Sequence, residues 1–328
     1  MISKKTNIPF VYLVLLLAFI ACKKEDITTP LENGQEVWVK TSTGVSQGLN
    51  DLHFYNSQVG IIGGDFGTIV KTSDGGNSWS LIASPTNNSF LTAFALSVDM
   101  FFVGRLGLYK SNKICTRVSE IGNTSSFGSS IYGVHFSDSL TGVMAKGGTI
   151  FTTNDGGVNW TNSYPQYGYA NILEYTSDST FYLSGGRTFD GVAYAEIHKS
   201  TDYGNTWSEL NLPNELGLSQ IMTSSFLSNS TGYVITLNKK VFKTEDGGIS
   251  WNLVSTLDFI ARKVLFVNAS TAYLIAGNSI YKSIDSGKNW NLSYNASENT
   301  ILTDLESNGT TNLFVIDNQG NLYIKQGI

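Results

Sequence analysis

Charge is scarce in this chain. Only 14% of its 328 residues are Asp, Glu, Lys or Arg, against 41% hydrophobic residues. There are three histidines and four arginines: Arg105, Arg117, Arg187 and Arg262. The net charge of −5 provides no global basic field, so nucleic acid is not an expected partner. Cysteine is nearly absent. Cys22 and Cys115 are the whole complement, and no Cys/His spacing suits zinc, so neither a metal nor a cofactor is expected. Beyond an apolar N-terminal run, no segment carries a helical period. Gly, Ser, Thr and Asn fill the chain instead, the composition of many short strands joined by tight turns.

One pattern recurs. KTSDGGNSW (71–79) returns as TTNDGGVNW (152–160), KSTDYGNTW (199–207), KTEDGGISW (243–251) and KSIDSGKNW (282–290). The aspartates Asp74, Asp155, Asp202, Asp246 and Asp285 lie 81, 47, 44 and 39 residues apart. The first interval is a double one, and LYKSNKICTRV (108–118) fills it as a degenerate copy. A seventh copy begins at GNLYIKQGI (320–328). Each unit of about 40 residues runs strand A, strand B, strand C, aspartate turn, strand D, consistent with a propeller blade. In the first unit these are 50–55, 59–64, 67–73 and 78–84.

The tryptophans suggest how the ring closes. Trp38, Trp79, Trp160, Trp207, Trp251 and Trp290 each start a D strand. Trp38 heads a D strand with nothing before it, and the last unit has A, B and C but no D. The N-terminal strand can therefore complete the last blade, which removes both unpaired sheet edges. The expectation is an all-β, seven-bladed propeller of four-stranded antiparallel blades over residues 36–328.

Residues 1–21 read as a targeting segment, with Lys4 and Lys5 ahead of the apolar run IPFVYLVLLLAFIA (8–21). The run ends at Cys22. It resembles the lipobox of bacterial lipoproteins, which implies that Cys22 is lipidated and that 22–35 form a tether. KKED (23–26) resembles a signal for the outer face of the outer membrane. Loss of residues 1–21 takes away two lysines, leaving a charge of −5 − 2 = −7. Cys115 then has no disulfide partner and reads as a buried thiol. The expected location is the bacterial outer membrane, facing the periplasm or the cell surface.

The spacing [Ser/Thr]-x-Asp-x-Gly-x-x-Trp has a structural reading. The carboxylate can accept from amides of its own turn, and the Trp supplies apolar area between sheets. The spacing resembles the Asp-box, or BNR, repeat. The longer units 49–79 and 131–160 resemble the repeat of the photosystem II stability/assembly factor-like family. That resemblance spans about residues 36–328 and implies a binding scaffold with no known chemistry; the chain is separately expected to be a monomer. The photosynthetic role is not implied, because those members use an arginine-rich surface.

Two sets of residues are candidates for function. Asp51 and Asp304 occupy the same strand A position in blades 1 and 7, neighbours in a closed ring. Paired carboxylates on a channel could do acid/base work, as in xyloglucanase-type glycosidases, or could bind backbone amides. A sialidase would need three converging arginines, which the scattered four do not offer. The second set departs from the repeat at blade 4. The D–A connection 163–170 carries Tyr164, Tyr167 and Tyr169. The B–C connection is expanded to 184–196 and carries Arg187, Phe189, Asp190 and Tyr194. Aromatic and arginine side chains in loops on a rigid scaffold suit recognition of a protein or glycan. His53 and His135 share one register and are expected to fill a packing slot.

Overall fold

The structure, a computed structural model, describes residues 36–164, 169–176, 179–310 and 312–325. The expected signal segment 1–21 and the tether 22–35 with Cys22 lie outside the described residues, as does Tyr167. Among the described residues, no helix is long and apolar enough to cross a membrane.

Strand β1 (Trp38–Ser42) comes first. Blade 1 holds β2 to β5 (Leu49–Phe54, Gly60–Gly64, Ile69–Thr72, Ser80–Leu81). Blade 2 holds β6 to β9 (Thr92–Ser97, Met100–Gly104, Leu108–Ser111, Val118–Glu120). Blade 3 holds β10 to β13 (Ile131–Phe136, Gly142–Lys146, Thr149–Thr153, Thr161–Tyr164). Blade 4 holds β14 to β17 (Tyr169–Tyr175, Phe181–Phe189, Val192–Ser200, Ser208–Glu209). Blade 5 holds β18 to β21 (Ile221–Phe226, Gly232–Thr236, Lys240–Thr244, Asn252–Thr256). Blade 6 holds β22 to β25 (Lys263–Phe266, Ala272–Ala276, Ser279–Ser283, Asn291–Asn295). Blade 7 holds β26 to β28 (Leu302–Ser307, Leu313–Asp317, Asn321–Lys325). Each blade is a four-stranded antiparallel sheet, and β1 completes blade 7 by pairing with β28 from Trp38↔Lys325 to Ser42↔Asn321. The chain is thus a seven-bladed β-propeller closed by its N-terminal strand.

Burial follows from stacking the sheets face to face. The second strands β3, β11, β19, β23 and β27 are buried at every position, because a neighbouring blade covers each face. The outermost β5 and β17 are two exposed residues each. Between blades one aromatic arrangement recurs. Phe54, Phe136, Phe226 and Phe266 end four innermost strands. Each packs on an aromatic of the preceding blade (Phe314, Phe102, Tyr182, Tyr233) at centroid distances of 4.6, 4.0, 3.7 and 3.5 Å. Each also meets its own blade's tryptophan (Trp79, Trp160, Trp251, Trp290) edge-on at 6.0–6.4 Å. Edge-on and stacked contacts of this kind contribute about 0.5–1.5 kcal/mol beyond area burial. A glycine makes the arrangement fit: a Cβ at Gly232 would come within 2.2 Å of the Phe226 ring. Blade 4 has Phe181 at that position, and its strand-end aromatic, Tyr175, stacks instead on His135 at 4.2 Å.

The aspartate turns are hydrogen-bonded from within. Asp74 Oδ1 accepts from the Thr72 hydroxyl at 2.8 Å and the Ser78 amide at 2.9 Å, and Oδ2 accepts from the Ser78 hydroxyl at 2.6 Å. The Gly76 amide donates to Thr72 Oγ1 at 2.9 Å. Asp155, Asp202, Asp246 and Asp285 repeat the same bonds. The Asn159 and Asn289 amides lead in holding the Asp155 and Asp285 carboxyls down at about 2. In blade 2, Asn112 Oδ1 takes over by accepting from the Thr116 and Arg117 amides. Cys115 is a buried free thiol there, with φ +51.

Ring closure has its own clasp at Glu36, which the sequence reading did not single out. Its carboxylate accepts from Tyr273 Oη and Lys282 Nζ at 2.6 Å each and from Ser293 Oγ at 3.0 Å, with Lys325 Nζ at 3.5 Å. Burial pushes its pKa up, but the bonds from Lys282 and Tyr273 and the charge of Lys325 win, and it sits below the usual carboxylate range. Trp38 adds Nε1–H···Oγ of Ser293 at 3.0 Å and edge-on packing on Tyr273. Glu36→Ala should lower stability by about 1–3 kcal/mol, as loss of a charged, partly buried hydrogen-bond acceptor does. A group with a depressed folded pKa stabilises above its unfolded value, about 4.3, and stops doing so as pH falls through the folded value. The deficit in urea melts should therefore be full at pH 7 and shrink toward pH 3. Identical melts at pH 7 would rule out the clasp.

Candidate functional site

The seven innermost strands, β2, β6, β10, β14, β18, β22 and β26, contact one another around the axis. They enclose a channel of about 520 Å³. Each is the edge strand of its sheet, so half of its amides have no strand to pair with. In blades 1, 2, 5 and 6 the side chains of the preceding blade supply acceptors instead. Asp51 Oδ2 accepts from the Ala93 amide at 2.6 Å, and His53 Nδ1 from the Ala95 amide at 3.0 Å. Glu174 Oε2 accepts from Phe226 at 2.8 Å. Thr223 and Ser225 hydroxyls accept from Val264 and Phe266 at 3.0 Å each. Asp304 Oδ2 accepts from Leu52 at 2.9 Å, across the closure. The four strands that carry these acceptors each have a register shift just ahead of them, at 49/51, 170/172, 221/223 and 302/304, and β10 has one at 131/133. A bulge re-aims the residues that follow it.

Asp51 and Asp304, the candidate catalytic pair, are therefore adjacent as the register implies, and each holds the next blade's backbone. They also share a hydrogen bond. Lys263 Nζ stands 3.3 Å from Asp304 Oδ1. Burial and then the Asp304 charge push the Asp51 carboxyl well above its usual range, while the Asp304 charge holds Lys263 firmly protonated. Two carboxyls in direct contact leave no room for a glycosidic oxygen, and glycosidase pairs stand about 5 Å or more apart.

Aligning the innermost strands on their pairing defines two layers. The upper layer contains Asp51, Thr92, Gly133, Thr223, Lys263 and Asp304. The lower contains His53, Phe94, His135, Glu174, Ser225, Leu265 and Glu306. Lys263, Glu174 and Glu306 escaped the sequence reading, and only this alignment would have found them. Burial raises Glu174 and pushes Glu306 up to about 8. Burial lowers His53 to about 4 and His135 to about 3, so both are neutral at pH 7. Their rings join Phe94 and Tyr175 in one wall, at 4.7 Å from His53 to Phe94, 4.6 Å from Phe94 to His135, and 4.2 Å onward to Tyr175.

The blade 4 residues form a different feature from the expected loop. Segment 184–196 is an extended hairpin in which β15 and β16, nine residues each, pair without interruption to Phe189↔Val192. The connection is only Asp190 and Gly191, with φ of +48 and +76, the left-handed pair of a tight hairpin turn. Arg187 lies on β15 with Nε 3.2 Å from Glu196 Oε1, a carboxylate only 4% exposed, and its guanidinium stands 6.0 Å from the half-buried Tyr194 ring. Glu196 and His198 are both buried between blades 3 and 4 and stand 4.0 Å apart. Phe189 is 70% exposed at the hairpin end, beside exposed Asp190 and Val192. Tyr164 ends β13 and Tyr169 begins β14.

No family model matches the chain, and no curated protein matches it in sequence. Solved structures do share its fold. YCF48 from Cyanidioschyzon merolae is 16% identical, with a TM-score of 0.72, covering 88% of this chain and 98% of that one. A YCF48 bound to D1 peptide is 15% identical, with a TM-score of 0.73, over 91% and 99%. An ancestral GH74 enzyme is 15% identical, with a TM-score of 0.68, over 90% of this chain but 46% of that one.

The channel should leave a mark on stability. A group with a raised folded pKa stabilises below its unfolded value and loses that contribution as pH rises through the folded one. For Glu306 that window ends near pH 8. His53 and His135 titrate well below it. The unfolding midpoint should fall between pH 7 and pH 9, and Glu306→Gln should flatten that limb. A wild-type midpoint that rises over this range would contradict the assignment.

Proposed function

We propose that this propeller is a non-catalytic scaffold that holds a protein partner through the face bearing the blade 4 hairpin. The observation that carries the reading is Phe189, a large apolar side chain held out on a fully paired hairpin. Loops on rigid frames and exposed aromatics are the usual material of recognition. A tight, paired hairpin also presents its end with little entropy left to lose on binding. A propeller of like fold is described bound to a peptide, which favours a protein or peptide over a glycan. The tyrosines Tyr164, Tyr167 and Tyr169 of the neighbouring connection belong to the same proposed surface. In this reading Arg187 first compensates buried Glu196, and Asp190 first makes the turn.

The lipobox resemblance supports a protein tethered by a lipid on Cys22 to a bacterial outer membrane. The aspartate turns belong, in this reading, to an Asp-box repeat with a structural role. A glycoside hydrolase is the second reading. GH74 propellers share the fold, but Asp51 and Asp304 hold backbone amides and each other.

Capture of cross-linked partners from intact native cells should be lost on Phe189→Ser with Val192→Ser, while the melting curve stays as in wild type. Equal capture by a folded variant would refute the hairpin surface. Release of reducing sugar from xyloglucan, abolished by Asp51→Asn, would favour the hydrolase. Metabolic labelling with a fatty-acid analogue should mark the wild type and not Cys22→Ala, and equal labelling of both would refute the anchor.

A further inference from the structure

Most polar side chains of the channel are occupied by the ring itself. Asp51, Asp304, His53, Thr223 and Ser225 each hold an amide of the next blade. Glu174 holds the Phe226 amide and accepts from the Ser224 hydroxyl. Glu306 breaks the rule. At its register it would reach the Phe54 amide, but its backbone partner is its own neighbour Ser307. Its carboxylate is surplus to the ring and lines the channel.

The cations near it are engaged with other groups. Four carboxyls, Asp51, Glu174, Asp304 and Glu306, share one ammonium, Lys263, which sits nearest Asp304. Arg262 is exposed, with Nε donating to the Thr303 carbonyl at 3.1 Å. Across the ring from blade 7 stand blades 3 and 4, which present His135, Tyr175 and Glu174. The wall of His53, Phe94, His135 and Tyr175 offers ring faces to whatever lies in the channel. A carboxylate without a ring partner, cations already engaged with other groups, and aromatic faces in a cavity of about 520 Å³ match one ligand chemistry.

We propose that the channel binds a primary alkylammonium group, the end of a lysine side chain or of a free alkylamine, with Glu306 as its carboxylate and the His135–Tyr175 wall against its stem. A bulky or anionic ligand does not suit this lining. The ammonium gives Glu306 a cation of its own, since Lys263 stands nearest Asp304 and Arg262 donates to a backbone carbonyl. The proposal is independent of the hairpin surface, so Phe189→Ser with Val192→Ser should leave amine binding unchanged even if it abolishes partner capture.

Protonation gives the test its signature. Glu306 faces Lys263 from β22, Glu174 from β14, Asp51 and His53 from β2, His135 from β10 and Asp304 on its own strand. With the histidines neutral and Lys263 charged throughout, Glu306 ionises between pH 6.5 and 8.5, beside Asp51 and Glu174, whose carboxyls burial also raises, and Glu306→Gln separates its share from theirs. An apparent affinity scales with the competent fraction, so it should rise about 25-fold over that range. Binding at pH 7 should release a proton.

The experiment is calorimetric titration of residues 36–328 with two probes, 1,4-diaminobutane and Nα-acetyl-lysine methylamide. It is run at pH 6.5 and 8.5, and in two buffers of different ionisation heat. The account expects binding that tightens with pH, proton release at pH 7, and loss of both on Glu306→Gln in a variant that melts like wild type. Tighter diamine binding would assign the site to a free amine, and tighter lysine binding to a partner's side chain. No heat from either probe at pH 8.5, or binding that Glu306→Gln leaves intact, overturns the proposal.

Discussion

The ring depends on the unpaired edge of its innermost strands. Each strand pairs on one side only, and seven such edges face a shared axis where no eighth strand can fit. Buried amides without acceptors would cost about 1–3 kcal/mol each, about twice what a hydrogen bond contributes net. Side chains reaching from the preceding blade solve this at Leu52, Ala93, Ala95, Phe226, Val264 and Phe266. The acceptors have to be polar, and because several are carboxyls they charge the channel. The raised carboxyls, the firmly protonated Lys263 and the neutral histidines all follow from that structural use of polar groups near the axis.

This also explains why a pair that looks catalytic is occupied. Asp51 and Asp304 occupy one register because blades repeat, and they meet because blade 7 adjoins blade 1. The same adjacency that would place two carboxyls across a cleft here puts them in direct contact, each on a neighbour's amide. One oxygen of each is held by a structural amide, and the contact between the two carboxyls fills the space a substrate oxygen would need. The outward features carry the recognition reading instead, and Phe189 stands on a hairpin whose own ladder keeps it rigid.

How much the sequence disclosed depended on the distance between interacting groups. The aspartate turns are legible because donor and acceptor lie within four residues. Ring closure is legible because Trp38 heads a D strand without companions while the chain ends on a C strand. The blade 4 expansion reads as a loop when compared with the shorter B–C connections, yet Asp190-Gly191 is itself a two-residue hairpin signal, and the strands run to it on both sides. The inter-blade acceptors span about 40 residues, and 252 across the closure, so no local pattern reports them. Lys263 and Glu306 become visible only when all seven A strands are set in register. Glu36 had no repeat to mark it, since it lies outside every unit.

Side chains of blades 7, 1, 4 and 5 hold inner amides of the blade that follows each. Native-state hydrogen exchange tests it residue by residue. The amides of Leu52, Ala93, Phe226 and Val264 should exchange only through global unfolding, as slowly as those of the buried strand β19. Exchange of these amides at the rate of the exposed turns, with β19 still protected, would contradict it and return the channel carboxyls to the list of groups free for chemistry.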